Sequence, residues 1–211
     1  DMALRLGLGG LTGVDLPDEK SGIIPSHEWK LNTRGGVWTP GETVVAGIGQ
    51  GYVLTTPIQL AVMTARIANG RDAVVPTLLS ASNEAAQNFA PLDISEAALS
   101  VIRRGMSAVL YGAAGTANSY KLSKKYGGMA GKTGTVQVKR ITMAQREKGI
   151  IKNIDRPWVE RDHALFVAYA PIKNPRYAIS VVVEHGGSGS STAAPVARDI
   201  LAKTIAERGL T

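Results

Sequence analysis

The chain has 211 residues, 44% hydrophobic, 19% charged and 5% aromatic, the profile of an ordinary globular chain with one full core or a large piece of one. A net charge of +7, from 24 Lys and Arg against 17 Asp and Glu, suits an anionic polymer or lipid surface. No basic patch is interleaved with aromatics, so no nucleic-acid partner is expected. The absence of cysteine excludes disulfides and thiolate metal sites, and no apolar run approaches the ~20 residues that span a bilayer.

Asp1-Met2-Ala3-Leu4-Arg5-Leu6-Gly7 reads as the last turns of an amphipathic helix ended by glycine. A chain that starts inside an element is expected to be a fragment, with any targeting segment upstream. Residues 8–50 are dense in Gly, Pro and turn residues and predict an irregular, surface-following segment, with Trp29 and Trp38 anchoring it by their large apolar area. The cluster Gly47-Ile48-Gly49-Gln50-Gly51 suits either close backbone approach to a ligand or a tight packing turn. A helix then starts clearly. Thr56 is an N-cap, Pro57 suits the first helical position and Gln59 completes a capping box, with Ile58, Ala61, Val62 and Ala65 on one face and Asn69-Gly70 as the stop.

Residues 71–92 read as a variable connection with short extended pieces. Asp93 with Glu96 predicts the cap of a second helix over 94–111, its buried face drawn from Ile94, Ala98, Val101, Ile102, Met106, Val109 and Leu110. A loop over 112–128 carries Gly115-Thr116-Ala117 and the lysines Lys121, Lys124 and Lys125.

Ala130-Gly131-Lys132-Thr133-Gly134-Thr135 follows, and it invites two chemistries. A phosphate-binding loop would need glycine at position 126, which is Tyr126, and should open a helix. Instead Thr135-Val136-Gln137-Val138 favours a strand. The other reading is the Lys-Thr-Gly strand of active-serine acyl-transferring enzymes. There the strand edge accepts a peptide-like substrate, Gly134 allows close approach, and Lys132 and Thr135 reach its carboxylate. A plain structural strand is the third reading of these residues alone.

Residues 139–162, with seven Lys or Arg and four Asp or Glu, are long for a connection between strands. They are expected to form a basic lid, through Arg140, Arg146 and Lys148, or a solvated loop. Two strands follow, over 164–169 and 177–184, joined tightly through Pro171 and Pro175 and therefore antiparallel. After Gly186-Gly187-Ser188-Gly189 comes a final helix, with Val196, Ile200, Leu201 and Ile205 inward and Gly209 as its stop. The order predicts an α+β domain of helices packed on an antiparallel sheet.

Nucleophile motifs do not accompany the lysine strand. No serine has lysine three residues later, Ser-x-Asn and Ser-x-Asp are absent with Thr116-Ala117-Asn118 the nearest thing to them, and Gly-x-Ser-x-Gly fails at Ser190. His27, His163 and His185 show no metal-ligand spacing and are expected to be structural, so neither metal nor cofactor is predicted.

Several stretches in order nevertheless resemble one family. Gly10-Leu11-Thr12-Gly13-Val14-Asp15-Leu16-Pro17, Gly47-Ile48-Gly49-Gln50-Gly51, Thr55-Thr56-Pro57-Ile58-Gln59-Leu60-Ala61, Gly115-Thr116-Ala117, Ala130 to Gln137 and Glu184-His185-Gly186-Gly187 are similar to the class B penicillin-binding proteins. The likeness is nearest to their monofunctional transpeptidases of cell elongation. It covers essentially the whole chain and implies a β-lactamase/transpeptidase-like fold, with residues 1–211 as the C-terminal portion of the domain. It also implies a peptidoglycan D,D-transpeptidase, in which a serine attacks the D-Ala-D-Ala end of a stem peptide and β-lactams acylate the same serine.

Carried over, Lys132 holds the hydrogen-bond network of serines that precede this chain, and the hydroxyls of Thr133 and Thr135 address the terminal carboxylate. Gly134 completes the motif, and the Thr135 N–H is one oxyanion-hole donor. Implied partners are stem peptides, β-lactam antibiotics and membrane elongation-complex proteins, at the periplasmic face of the inner membrane. The chain alone is expected to be inactive. A D,D-carboxypeptidase, a β-lactam sensor, a non-catalytic binding module and, more remotely, a nucleotide-binding protein are the alternatives.

Overall fold

In the computed structural model, residues 2–70, 72–78, 89–139, 141–147, 149 and 151–208 are described. The predicted Gly209 stop lies outside them. The chain divides into two compact units, one of residues 1–66 and 71–93, the other of residues 67–70 and 94–211.

The first unit is more helical than its composition suggests. After α1 (Met2–Arg5), the supposedly irregular stretch contains α2 (His27–Arg34) and α3 (Pro40–Gly47), a correction to the sequence reading. Both helices carry start signals that the density of glycine and proline masks. The Ser26 side chain accepts the N–H of Trp29 at 3.0 Å, and Gly35 closes α2 in the left-handed region at φ 67°. At α3, Thr39-Pro40-Gly41-Glu42 is a capping sequence with proline at the first position, and the Thr39 N–H donates to Glu42 Oε2 at 2.7 Å.

The same carboxylate receives Lys30 Nζ at 2.7 Å on Oε1, while Nζ also donates to the Val37 carbonyl at 2.6 Å. Lys30 and Glu42 thus tie the two helices to each other. Trp38 stacks on His27 and donates through Nε1 to Thr43, and Trp29 packs on Tyr52, so both indoles brace these helices locally.

Helix α4 (Pro57–Ala68) starts where expected. Thr56 N–H donates to Gln59 Oε1 at 3.0 Å, and Gln59 N–H donates back to Thr56 Oγ1 at 3.3 Å. The Gln59 amide, fully buried, then donates to the carbonyls of Gly10 and Ser21, each at 2.7 Å. One side chain therefore caps the helix and holds the preceding coil.

In the second unit, α5 (Glu96–Tyr111) is capped by Ser95, which accepts the Ala98 N–H at 3.2 Å, rather than by Asp93. Asp93 instead pairs with Arg5 in the first unit. The buried stripe of α5 is Leu99, Met106 and Leu110, with Arg103 between them donating to the Ile67 carbonyl and to Glu96. Val101 and Ile102 are exposed, contrary to the periodicity reading, because the aliphatic stem of an arginine occupies a position that pattern-matching assigns to solvent.

The sheet is β1 (Ala130–Val136), β2 (His163–Ala170) and β3 (Tyr177–Val183), antiparallel in the order β1-β2-β3. Helix α7 (Ala194–Arg208) packs Ala194, Ala197, Leu201 and Ile205 against Ala164, Phe166, Ala168 and Val181. Val196 and Ile200, expected inside, are exposed. Ala194 and Ala197 let the start of the helix approach the sheet closely, and Leu201 and Ile205, inside as expected, complete the stripe. The α+β architecture of helices on an antiparallel sheet is as predicted.

Two predictions follow from the first unit. Gln59→Ala should cost about 2–3 kcal/mol in urea denaturation, since it removes three part-buried hydrogen bonds and the fully buried side chain that makes them, whereas Thr56→Ala should cost about 1 kcal/mol. The hydrogen bond from Lys30, then that from the Thr39 N–H, lowers the Glu42 carboxyl from its ordinary 4.5 to about 2. A depressed folded-state value gives stability that is complete above pH 4.5 and lost as the pH falls towards 2. Acid titration of stability should show that loss in the wild type and a flatter profile in Glu42→Gln.

Candidate functional site: the Lys132 strand

Strand β1 forms an edge of the described sheet, so one side of its backbone ladder is not used by β2. Its register is Lys132↔Val167, Thr133↔Phe166, Gly134↔Leu165 and Thr135↔Ala164. Cross-strand partners share a face, so Thr133 and Thr135 stand with the Phe166 face and Lys132 and Gly134 with the Val167 face. The lysine and the two hydroxyls therefore leave the strand in different directions. Lys132 is exposed and its Nζ donates to the Thr133 carbonyl at 2.7 Å.

Glycines make this strand narrow. A Cβ at Gly131 would meet Phe166 Cζ at 2.7 Å, so the buried ring beneath the strand needs a glycine there. At Gly134 a Cβ would stand 3.2 Å from Leu165 Cβ. The π-helical turn Gly189–Ala193, which leads into α7, presses on the same spot: a Cβ on Gly189 would run into the backbone of Gly134 and Leu165. Gly189 thus makes a close intramolecular approach to the strand at Gly134.

Gly115-Thr116-Ala117 reaches the strand as well. Thr116 Oγ1 and Thr133 Oγ1 lie 3.2 Å apart. From sequence alone this tripeptide belongs to the family pattern and Thr116-Ala117-Asn118 is the nearest thing to a Ser-x-Asn relay, but nothing there points to a contact with Thr133.

The excursion between β1 and β2 is folded back on the sheet end. It contains α6 (Met143–Glu147) and 3-10 turns at Asn153–Asp155 and Trp158–Glu160. Lys139 pairs with Glu160 at 2.7 Å and Arg156 with Asp162 at 3.3 Å, so two of its cations are neutralised inside it. Arg161 donates to the carbonyls of Arg156 and Ile154. Of the residues expected to make a basic lid, Arg146 lies on α6, while Arg140 and Lys148 lie outside the described residues.

Two histidines hold the excursion. His163 Nδ1 accepts the His185 N–H at 2.9 Å, the His185 ring lies 2.9 Å from the Arg161 carbonyl, and Trp158 packs on His185 with ring centroids 4.3 Å apart. Among the described residues no three His, Cys, Asp or Glu side chains converge as a metal site. None of their helices is long and apolar enough to cross a membrane.

Comparison with known proteins places this arrangement. The family described as penicillin binding protein transpeptidase domain matches residues 1–202. The peptidoglycan D,D-transpeptidase MrdA of Acinetobacter baumannii is 37% identical over 91% of this chain and 29% of its own length. PBP2 of Pseudomonas aeruginosa, solved in complex with WCK 5153, is 38% identical with a TM-score of 0.79, covering 96% of this chain and 42% of that one. PBP2 of Helicobacter pylori, solved in complex with MreC, is 32% identical with a TM-score of 0.79, covering 99% of this chain and 35% of that one. The chain thus spans well under half the length of these relatives. It belongs to the penicillin-binding protein transpeptidase family, in the class B branch nearest PBP2.

Proposed function

We propose that this chain supplies the substrate-binding wall of a peptidoglycan D,D-transpeptidase and that its nucleophilic serine lies on a preceding segment. The observation that carries the reading is an edge strand bearing Lys132-Thr133-Gly134-Thr135 in a chain that holds no Ser-x-x-Lys. An extended stem peptide, or a β-lactam in its place, lies along the open edge of β1 as an added strand, which aligns its reacting carbonyl by backbone hydrogen bonds.

In that complex the Thr133 and Thr135 hydroxyls donate to the terminal carboxylate. The Thr135 N–H stabilises the oxyanion, a donor whose loss typically costs ~10²–10³ in rate. Lys132 is the positive charge that orders the serine hydroxyls across the cleft. The serine oxygen attacks the penultimate D-Ala carbonyl, D-Ala leaves with a proton, and an amine of a neighbouring stem takes the acyl group from the serine.

We infer that the intact protein works at the periplasmic face of the inner membrane with proteins of the elongation complex; the Helicobacter pylori relative, solved in complex with MreC, supports the partner part of that reading.

Fluorescent penicillin tests the reading. The intact protein should form a stable covalent adduct, and residues 1–211 alone should form none; labelling of the isolated chain would refute the upstream serine. Lys132 is exposed, so Lys132→Ala should leave the unfolding midpoint unchanged while slowing acylation of the intact protein by about 100-fold or more. Wild-type acylation rates in that variant would remove Lys132 from the site. Amine-dependent crosslinking of model stem peptides, rather than hydrolysis alone, should distinguish transpeptidation from carboxypeptidation.

A further inference from the structure

Thr116 is held with unusual firmness for an exposed loop residue. Where α5 ends, the Gly112 N–H donates to the Ala108 carbonyl at 2.8 Å and the Gly115 N–H to the Gly112 carbonyl at 3.1 Å. The Ala117 N–H then returns to the Val109 carbonyl at 3.0 Å, and Asn118 Nδ2 donates to the Gly112 carbonyl at 2.8 Å. Ala117 is buried in the core beside Leu110 and Phe166. Gly115 has no room for a side chain, since a Cβ would strike the carbonyl oxygens of Ala108 and Val109. The residues on both sides of Thr116 are therefore fixed to the end of α5, and its hydroxyl is delivered 3.2 Å from that of Thr133. Thr133 is fixed in turn by its pairing with Phe166.

We propose that Thr116 is a positioning residue that sets the proton of the Thr133 hydroxyl for a substrate carboxylate. A hydroxyl carries one proton and two lone pairs, and a carboxylate only accepts. Thr133 can bind a carboxylate only by donating, so its own lone pair must meet another donor or none. Thr116 is that donor. Its proton occupies a Thr133 lone pair, the rotor of Thr133 is turned away from Thr116, and the remaining proton points to the open side of the strand. The pair also polarises the Thr133 O–H, as hydrogen bonds in a chain do. Thr116 need not touch the substrate. The inference rests on the reading of β1 as a substrate-binding strand.

The test uses the intact protein and two probes, benzylpenicillin and its methyl ester, in which the carboxylate charge is removed. Thr116→Val should lower the second-order acylation rate for benzylpenicillin by about five- to tenfold, the worth of one hydrogen bond, and change the ester rate by less than about twofold. Thr116→Ser keeps the donor and should restore the benzylpenicillin rate. In a Thr133→Val background, Thr116→Val should add nothing, because the hydroxyl it sets is gone.

Equal benzylpenicillin rates in Thr116→Val and wild type would overturn the proposal while leaving the strand reading intact. Equal losses for acid and ester would also overturn it, since a turn that merely supports the fold affects both probes alike. If neither probe acylates the wild-type intact protein, the strand reading falls and the proposal with it.

Discussion

The pairing of Thr133 with Phe166 is the constraint on which the rest of the site depends. Phe166 is fully buried beneath α7, and the space for its ring exists because Gly131 has no side chain. That buried ring locks the register of β1 on β2. A slip by one residue would exchange the faces of Lys132 and Thr133 and bring side chains of the edge strand into the core. The direction in which each functional group leaves the strand is thus set by hydrophobic packing several ångströms away from any chemistry.

Close backbone approach then completes the strand from two sides. The Gly189 turn rests on Gly134 and Leu165, and the Gly115-Thr116-Ala117 turn brings a hydroxyl to Thr133. Both turns lead into or out of helices packed in the same core, α7 and α5, so the strand is supported by rigid elements. The excursion from Lys139 onwards is tied at the other end of the strand through Glu160, Asp162 and the His163–His185 contact. A site that recognises an extended peptide benefits from such support, because an edge that is already ordered loses little freedom on binding.

Much of this was legible in the residues. The β-branched run after Thr135 marked a strand, Thr56-Pro57-Ile58-Gln59 marked a helix start, and the short connection at Pro171 marked antiparallel pairing. What failed had physical causes. Helices α2 and α3 escape the pattern because glycine and proline read as breakers even where they stand at caps. The faces of α5 and α7 are legible only in part: Met106, Leu110, Leu201 and Ile205 are buried as expected. Apolar size is no proxy for burial at Val101, Ile102, Val196 and Ile200, and Arg103, Ala194 and Ala197 lie on the inner sides. The Lys132-Thr133-Gly134-Thr135 motif proposed as the substrate-binding wall is legible from its residues and spacing, and the structure puts it on a strand as expected. The Thr116 contact could not, since it joins residues 17 apart through the ends of two elements whose relative placement no local pattern encodes.

The central claim is that the hydroxyls of Thr133 and Thr135 receive the substrate carboxylate on the open edge of β1. The most direct measurement is a crystal structure of the intact protein acylated by benzylpenicillin. The account predicts the penicillin carboxylate within about 2.5–3.0 Å of both hydroxyl oxygens, with the acyl oxygen accepting the Thr135 N–H. A carboxylate bound away from β1, with the acyl group turned from Thr135, would contradict it.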